Sequence, residues 1–419
     1  MSIETRSHPL RAALSAEMHV RRLPRFASPC RLMQVVSLLG EDAARDSRTH
    51  IEALGGRHGA VVPPDARYAV MPLGDVTMVW ERHTEFASYT FIREGAFDAP
   101  FDIATFAEVA ADALNDMPGE IVRATQIAVS GKEAPDPDPK MLDAWFEQGS
   151  LIVCDVADGK ARVMSDFRLH GDGFGRLLIA DRGLEGDESA QLVLRLQELG
   201  NYRNMALLGL PLAQRLTPDV AGLEKRLATL THAVSERVSQ DDTLLDELTY
   251  LSAELARIVA ETRYRMSATR AYAQLSMERL TSLTMSPVRG YQTLADFTER
   301  RLLPALRTCD SFSQRLDDLS QRAAWTSELL RTRIDIALAK QNRDLLESMN
   351  NRTQLQLRLQ QTVEGLSVVA ISYYLVMLIG YLLGAVPGFR HDVVMAVAVP
   401  IVVVGVALAL RRFRHHFTE

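Results

Sequence analysis

The chain has 419 residues, 47% hydrophobic and 24% charged, which is enough apolar material for two to three packed domains. Its 47 basic residues against 53 acidic ones give a formal net charge of −6, which argues against a nucleic-acid binder. Cys30, Cys154 and Cys309 stand far apart with no CxxC or Cys/His spacing, so no zinc site or disulfide framework is indicated and reduced, buried thiols are expected.

The first residues, MSIETRSHPLRAALSAEMHVRR, lack the apolar run of a secretory signal, so the soluble part is expected to stay in the cytoplasm. Ser28-Pro29 reads as a helix start, and the spacing predicts a helix over 32–54 that stops at Gly55-Gly56. Residues 76–93 are rich in β-branched and aromatic types and read as one long strand or a hairpin. Asp102 is placed to cap a helix over 103–114, which MPGE ends. A strand is predicted over 121–130, then a polar, Pro-rich loop, SGKEAPDPDPK. Strands follow over 151–156, 161–169 and 174–180, with Asp158-Gly159 as a tight turn. Helices and strands in alternation make residues 1–185 a cytoplasmic α/β domain, and the chain as a whole α+β.

From Glu188 the strand signals vanish, and 186–365 reads as a long-helix bundle and stalk, broken mainly at Pro211, Pro218 and 287–290. Leu223, Leu227, Leu230 and Val234 form one helical stripe, and Leu244, Leu248, Leu251, Leu255 and Ile258 another, both suited to core. A final helix is predicted from near Asp310 to the apolar region. Its seven-residue rows are mixed: Leu338, Leu345, Arg352 and Leu359 form one, and Ile334, Gln341, Ser348, Leu355 and Thr362 the other. Packing against other parts of the same chain is the favoured expectation for these rows, with a wet channel between symmetry-related helices as the alternative.

Residues 366–386 are an uncharged apolar run, about 31 Å long as a helix and matched to a bilayer core of about 30 Å. A second uncharged run covers 393–410, with Pro400 inside it. Arg352 and Arg358 precede the pair and Arg411, Arg412 and Arg414 follow it, whereas the connecting PGFRHD holds one Arg. The expectation is a transmembrane hairpin over 366–410 in a bacterial inner membrane, with a basic tail over 411–419 and both termini in the cytoplasm. The lipid bilayer is thus the one partner the residues identify directly, and no small-molecule substrate is identifiable.

Chemistry-bearing clusters are few. Glu81, His83 and Glu85 in ERHTEF alternate on one face of a strand and are candidate metal ligands, with a solvated sheet face as the plainer reading. Asp166, His170 and Asp172 in DFRLHGDGFGR are candidates for an acid/base or metal site, or for a polar turn. Glu17 and His19 form a weaker set. No phosphate loop, nucleophile elbow or HExxH occurs, so an enzyme is not expected and no cofactor is implied beyond a divalent cation. In the first apolar run Ser367, Tyr374 and Tyr381 share a face, and Gly380 and Gly384 form a small-xxx-small pair. They suggest a pore lining or a helix contact.

Several segments, among them HPLRAALSAEMHVR, WERHTEF, SDFRLHGDGFGR, NYRNMALLGLPLA, LLRTRIDIALAKQN and LRLQQTVEGLSVVAISYY, resemble an uncharacterised bacterial family of predicted membrane-anchored proteins. The layout is also similar to that of CorA-type magnesium channels, which join a cytoplasmic α/β domain and long helices to a C-terminal two-span hairpin. That resemblance implies a homo-oligomeric ion channel or transporter, with the first span lining the pore. The family's Gly-Met-Asn signature is missing, and Gly380-Tyr-Leu-Leu-Gly384 and Pro387-Gly-Phe occupy the region. The alternative function is a membrane-tethered scaffold or sensor whose hairpin only anchors it.

Overall fold

A computed structural model describes residues 7–11, 14–15, 22–40, 43–63, 66–236, 241–384 and 391–416. Glu17, His19 and residues 387–390 of the connecting segment lie outside them. The first element departs from expectation. CRLMQVVSL is a strand, β1 (Cys30–Leu38), and helix forms only over α1 (Ala43–Arg57). The reason is burial on both faces: β1 runs between β4 (Phe86–Glu94) and β5 (Glu120–Val129), antiparallel to each. A central strand covered on both sides shows no period-two alternation and is easily taken for helix.

Residues 76–93 form a hairpin, β3 (Val76–Arg82) and β4, with β2 (Tyr68–Leu73) paired outside β3. Asp102 does cap a helical segment: its carboxylate accepts from the Ala104 N–H at 3.0 Å. A 3-10 turn (Ile103–Phe106) then leads into α2 (Ala107–Leu114). The Pro-rich loop ends early, because Asp138 accepts from the Met141 N–H and Pro139 opens the first turn of α3 (Pro139–Trp145). Strands β6 (Ile152–Val156), β7 (Ala161–Ser165) and β8 (Gly175–Asp181) complete a meander whose first turn is at Asp158-Gly159, as expected.

A nine-stranded mixed sheet results, in the order β2-β3-β4-β1-β5-β8-β7-β6-β9, with β5 and β8 parallel. The last strand, β9 (Ser286–Pro287), falls at the helix break expected at 287–290, where a strand was not expected, and pairs with β6. Leu32, Ile127 and Ile179 pack on one face with Leu192, Leu196 and Leu199 of α4 (Glu188–Leu207). Met33, Trp80, Tyr89 and Phe91 share a core with Ile51 and Leu54 of α1, and Ala128, Met164 and Leu178 with Leu142 of α3. The architecture is α+β.

Four further helices follow: α5 (Gly209–Glu236), α6 (Asp241–Thr281), α7 (Leu294–Gly384) and α8 (His391–His416). The interruption expected at Pro211 falls at Leu208, between α4 and α5, whereas Pro218 breaks nothing. Pro211 falls in the first turn of α5, where no N–H is needed, and Pro218 is accommodated within the helix. Both leucine stripes are buried, as their spacing implied. Arg315 of α7 donates two bonds to Glu224 of α5, and Arg270 of α6 pairs with Asp310 of α7. Helix α7 starts well before Asp310, because Thr293 and Asp296 cap each other: the Thr293 hydroxyl accepts from the Asp296 N–H at 3.0 Å. The chain falls into two compact units, residues 1–236 with 246–324, and residues 237–245 with 325–419. The helices up to Ala324 thus group with the sheet.

The favoured expectation for the two rows on α7 is corrected. Residues 335–362 are exposed along their whole length and pack against nothing in the described chain. Leu338, Leu345, Met349, Leu359, Val363 and Leu366 are each more than half exposed, and from Leu345 onward they fall on one stripe of alternating three- and four-residue steps that also carries Arg352 and Gln356. Alternating three- and four-residue steps of apolar side chains are the spacing found along the seams of supercoiled helices in general.

All three cysteines are free and buried, and burial raises the pKa of each thiol. A thiolate is the reactive form, so the folded chain should leave a maleimide or aromatic disulfide reagent essentially unconsumed. Addition of denaturant should release three equivalents. Rapid labelling of even one thiol under native conditions would contradict this packing.

Candidate functional site

Among the sequence candidates, the structure brings His83 and Glu81 together, with Nε2 3.3 Å from Oε1. His83 lies past the end of β3 and stacks on Phe86, 4.0 Å between ring centres. Glu85 turns instead to Arg265 of α6, with which it forms a close ion pair. Asp166 and His170 also meet, at 3.0 Å. Asp166, however, directs its other acceptor capacity to the backbone N–H groups of Glu147 and Arg168, at 2.9 and 3.1 Å. Asp172 accepts from the Phe174 N–H and faces Arg176. These carboxylates tie turns together, and among the described residues no three His, Cys, Asp or Glu side chains group as metal ligands would.

The turn that Asp166 holds serves a different feature. It delivers Phe167 and Arg168 to the rim of a cavity of about 230 Å³ bounded by β5, β8 and α4. Four arginines, at 123, 168, 176 and 203, line the cavity, and among the described residues no carboxylate does. Arg168 and Arg176 have partners outside it in Glu147 and Asp172. The other two meet no acidic partner among the described residues. Arg123 projects from the middle of β5 and donates through Nη1 to Gln34 Oε1 at 2.5 Å and to Asn201 Oδ1 at 2.9 Å, both neutral acceptors. Its guanidinium lies flat on α4 at Gly200, where a Cβ would come within 2.7 Å of Cζ. Only glycine leaves that space. Arg203, one turn along α4, stacks on the Phe167 ring at 4.6 Å, and its Nη1 is sealed from solvent with no hydrogen-bond acceptor among the described residues.

Burial, and then the charge of Arg203, lowers the Arg123 pKa to about 9, while burial alone lowers that of Arg203 to about 10. Both guanidiniums therefore remain protonated at neutral pH, and their charge is uncompensated. Two weak hints of this site are visible along the chain: an arginine inside a strand of mostly apolar residues, and the poor helix formers Gly200-Asn201 in mid-helix. Arg123 and Arg203 are 80 positions apart, and nothing local joins them.

In the apolar part of α7, one 18-residue window has a mean hydropathy of 1.9, long and apolar enough to cross a membrane, and a shorter apolar helix covers Met395–Ala409. Ser372, Val376, Ile379 and Gly380 form the less exposed face, and a Cβ on Gly380 would lie 3.3 Å from Met395 Cε of α8. Gly380 is therefore a contact residue. Tyr374 and Tyr381 point away, 70% and 74% exposed, and the Ser367 hydroxyl donates to its own helix at the Val363 carbonyl. Gly384 ends α7. A search of curated proteins finds no match to this chain. Residues 6–417 match a family described as protein of unknown function (DUF3422), and the chain belongs to that family over nearly its whole length.

Proposed function

We propose that the chain is a membrane-anchored protein that self-associates along the C-terminal half of α7 and presents its sheet-containing unit in the cytoplasm as a sensor or scaffold. The observation that carries this reading is the exposed stripe of Leu338, Leu345, Met349, Leu359, Val363 and Leu366. Apolar side chains left in water at coiled-coil spacing favour a partner of the same spacing, and a second copy of α7 supplies one in register. Arg352 and Gln356 on the same stripe disfavour a lipid partner there and suit a wet, register-setting seam. The apolar runs of α7 and α8, in contact at Gly380 and Met395, serve as the anchor.

Detergent-purified protein should have a mass that is a multiple of 46.6 kDa. The double substitution Leu345→Glu, Leu359→Glu should reduce it to one chain by light scattering. A wild-type monomer at micromolar concentration would sink the reading. Ion conduction, the CorA-like reading, has one observation in its favour: Tyr374 and Tyr381 face away from α8 and are free to line an axis. It requires flux in reconstituted vesicles that cysteine-directed reagents block at positions 374 and 381.

A further inference from the structure

We propose that the cavity between β5, β8 and α4 binds a small phosphate-bearing ligand, with Arg123 and Arg203 taking the phosphate and Phe167, Leu177 and Leu196 its less polar remainder. The starting point is charge. Cations drawn even partly out of water are costly, and proteins normally pair them; Arg123 and Arg203 are each half-buried. Here Arg123 is met by two neutral amide oxygens and Arg203 by an aromatic face, while Nη1 of Arg203 has no acceptor among the described residues. No carboxylate among the described lining residues relieves either one. Two uncompensated positive charges match the charge of about −1.5 to −2 that a phosphate monoester carries at pH 7. A guanidinium is also the side chain suited to forked bonds with phosphate oxygens.

Position supports the same ligand. Gly200 lets the Arg123 guanidinium lie against the helix, and the Gln34 and Asn201 oxygens fix its plane. Phe167 holds Arg203 and is itself stacked on Phe297 at 4.7 Å, which in turn carries Arg301 at 3.9 Å. The two cations are thus held in place before anything binds, which lowers the entropic cost of capture. Thr125, Ser165 and Asn204 add neutral polar groups to the lining. About 230 Å³ is more than an inorganic phosphate needs, and the leucine and phenylalanine walls favour an ester over the bare ion. The site goes beyond the anchoring and self-association proposed above and does not depend on them.

The test uses the full chain in detergent, titrated calorimetrically with phenyl phosphate, inorganic phosphate, dihexanoyl phosphatidic acid and benzoate. Phenyl phosphate should bind saturably at one per chain and more tightly than inorganic phosphate, with benzoate at least tenfold weaker. Arg203→Met should weaken binding by about 10- to 100-fold, the range for loss of a charged hydrogen-bonding partner. Gly200→Ala, which displaces the Arg123 guanidinium without removing it, should weaken it by a similar factor. If the phosphatidic acid binds and the soluble ester does not, the phosphate belongs to a lipid headgroup; the reverse identifies a soluble metabolite. Should Arg203→Met fail to fold, phenyl phosphate should still protect Arg203 of the wild type from phenylglyoxal, and a lack of protection would count against the site. Absence of saturable binding by any phosphate, or equal binding of benzoate, overturns the proposal. So does binding indifferent to Arg203→Met. Because stoichiometry is counted per chain, a monomeric protein that binds would refute self-association and leave this site standing.

Discussion

A reporter enzyme that works only in the cytoplasm should be fully active when fused after Glu419 and silent when inserted at Gly388. The difference is expected to be all-or-none, because it tracks which side of a bilayer the fusion occupies. Residues 366–386 carry no charge and, as helix, reach about 31 Å. Helix α7 continues without interruption to Gly384, so no loop divides this run over its described length. Five arginines flank the two apolar runs on the terminal sides, at 352, 358, 411, 412 and 414, against one at 390 between them. Moving a single arginine into the middle of a bilayer costs roughly 2.5–3.5 kcal/mol on insertion scales, so the three in the last turns of α8, after its apolar run, are strongly biased to remain on the side of synthesis. An active reporter at Gly388 with a silent one at Glu419 would invert the topology. Activity at both positions would remove the anchor altogether.

Gly119→Ala should be among the most damaging single substitutions in the sheet-containing unit. Gly119 has φ +86, a region that side-chain-bearing residues avoid, and a Cβ there would run into the Leu38 carbonyl oxygen and the Ser37 hydroxyl. The site is crowded for a reason. The β1–β5 pairing shifts register between Val36 and Ser37, and the Ser37 hydroxyl donates to the Pro118 carbonyl to close the irregularity. Backbone strain of about 1–3 kcal/mol and overpacking of about 1–3 kcal/mol act together, so a loss of roughly 3–4 kcal/mol is expected. The thermal midpoint of the detergent-purified chain should fall by roughly ten degrees. Gly59→Ala is the control: φ is +71 but nothing lies within 4 Å, so strain alone should appear, about 1–2 kcal/mol. Equal losses at the two positions would mean that the contact with β1 contributes nothing.

The legible parts of the fold were those with a local chemical cause. Asp102 announced its helix, Asp158-Gly159 its turn, and the leucine stripes of α5 and α6 their buried faces. The failures are equally physical. β1 is buried on both faces, so its apolar run lacked the alternation that separates strand from helix. β9 is two residues long, too short for any pattern, and exists because β6 offers it an edge. For 335–362 only one of the two mixed rows, Leu338, Leu345, Arg352 and Leu359, lies on the exposed apolar stripe, and one helix read by itself does not show that its faces are left exposed. The site was the least legible. In ERHTEF and DFRLHGDGFGR acids and histidines cluster in sequence, and in the structure they pair within a hairpin end and a turn. Arg123 and Arg203 gain their meaning from the want of a carboxylate among the described residues around them, and that emerges only when β5 and α4 are side by side.

The end of the first compact unit at Ala324 bears on how the chain is made. Every residue of that unit precedes the apolar run that begins at Leu366 by about forty positions or more. At roughly 5–20 residues per second, a ribosome needs about 2–8 s to cover that distance. On the membrane-anchored reading proposed above, all residues of the sheet, including its late edge strand Ser286–Pro287, are then synthesised before the first apolar run can engage the insertion machinery. On that reading, synthesis would bring an already translated domain to the membrane, and the interval spent translating the exposed half of α7 would also let neighbouring nascent chains on one messenger find each other.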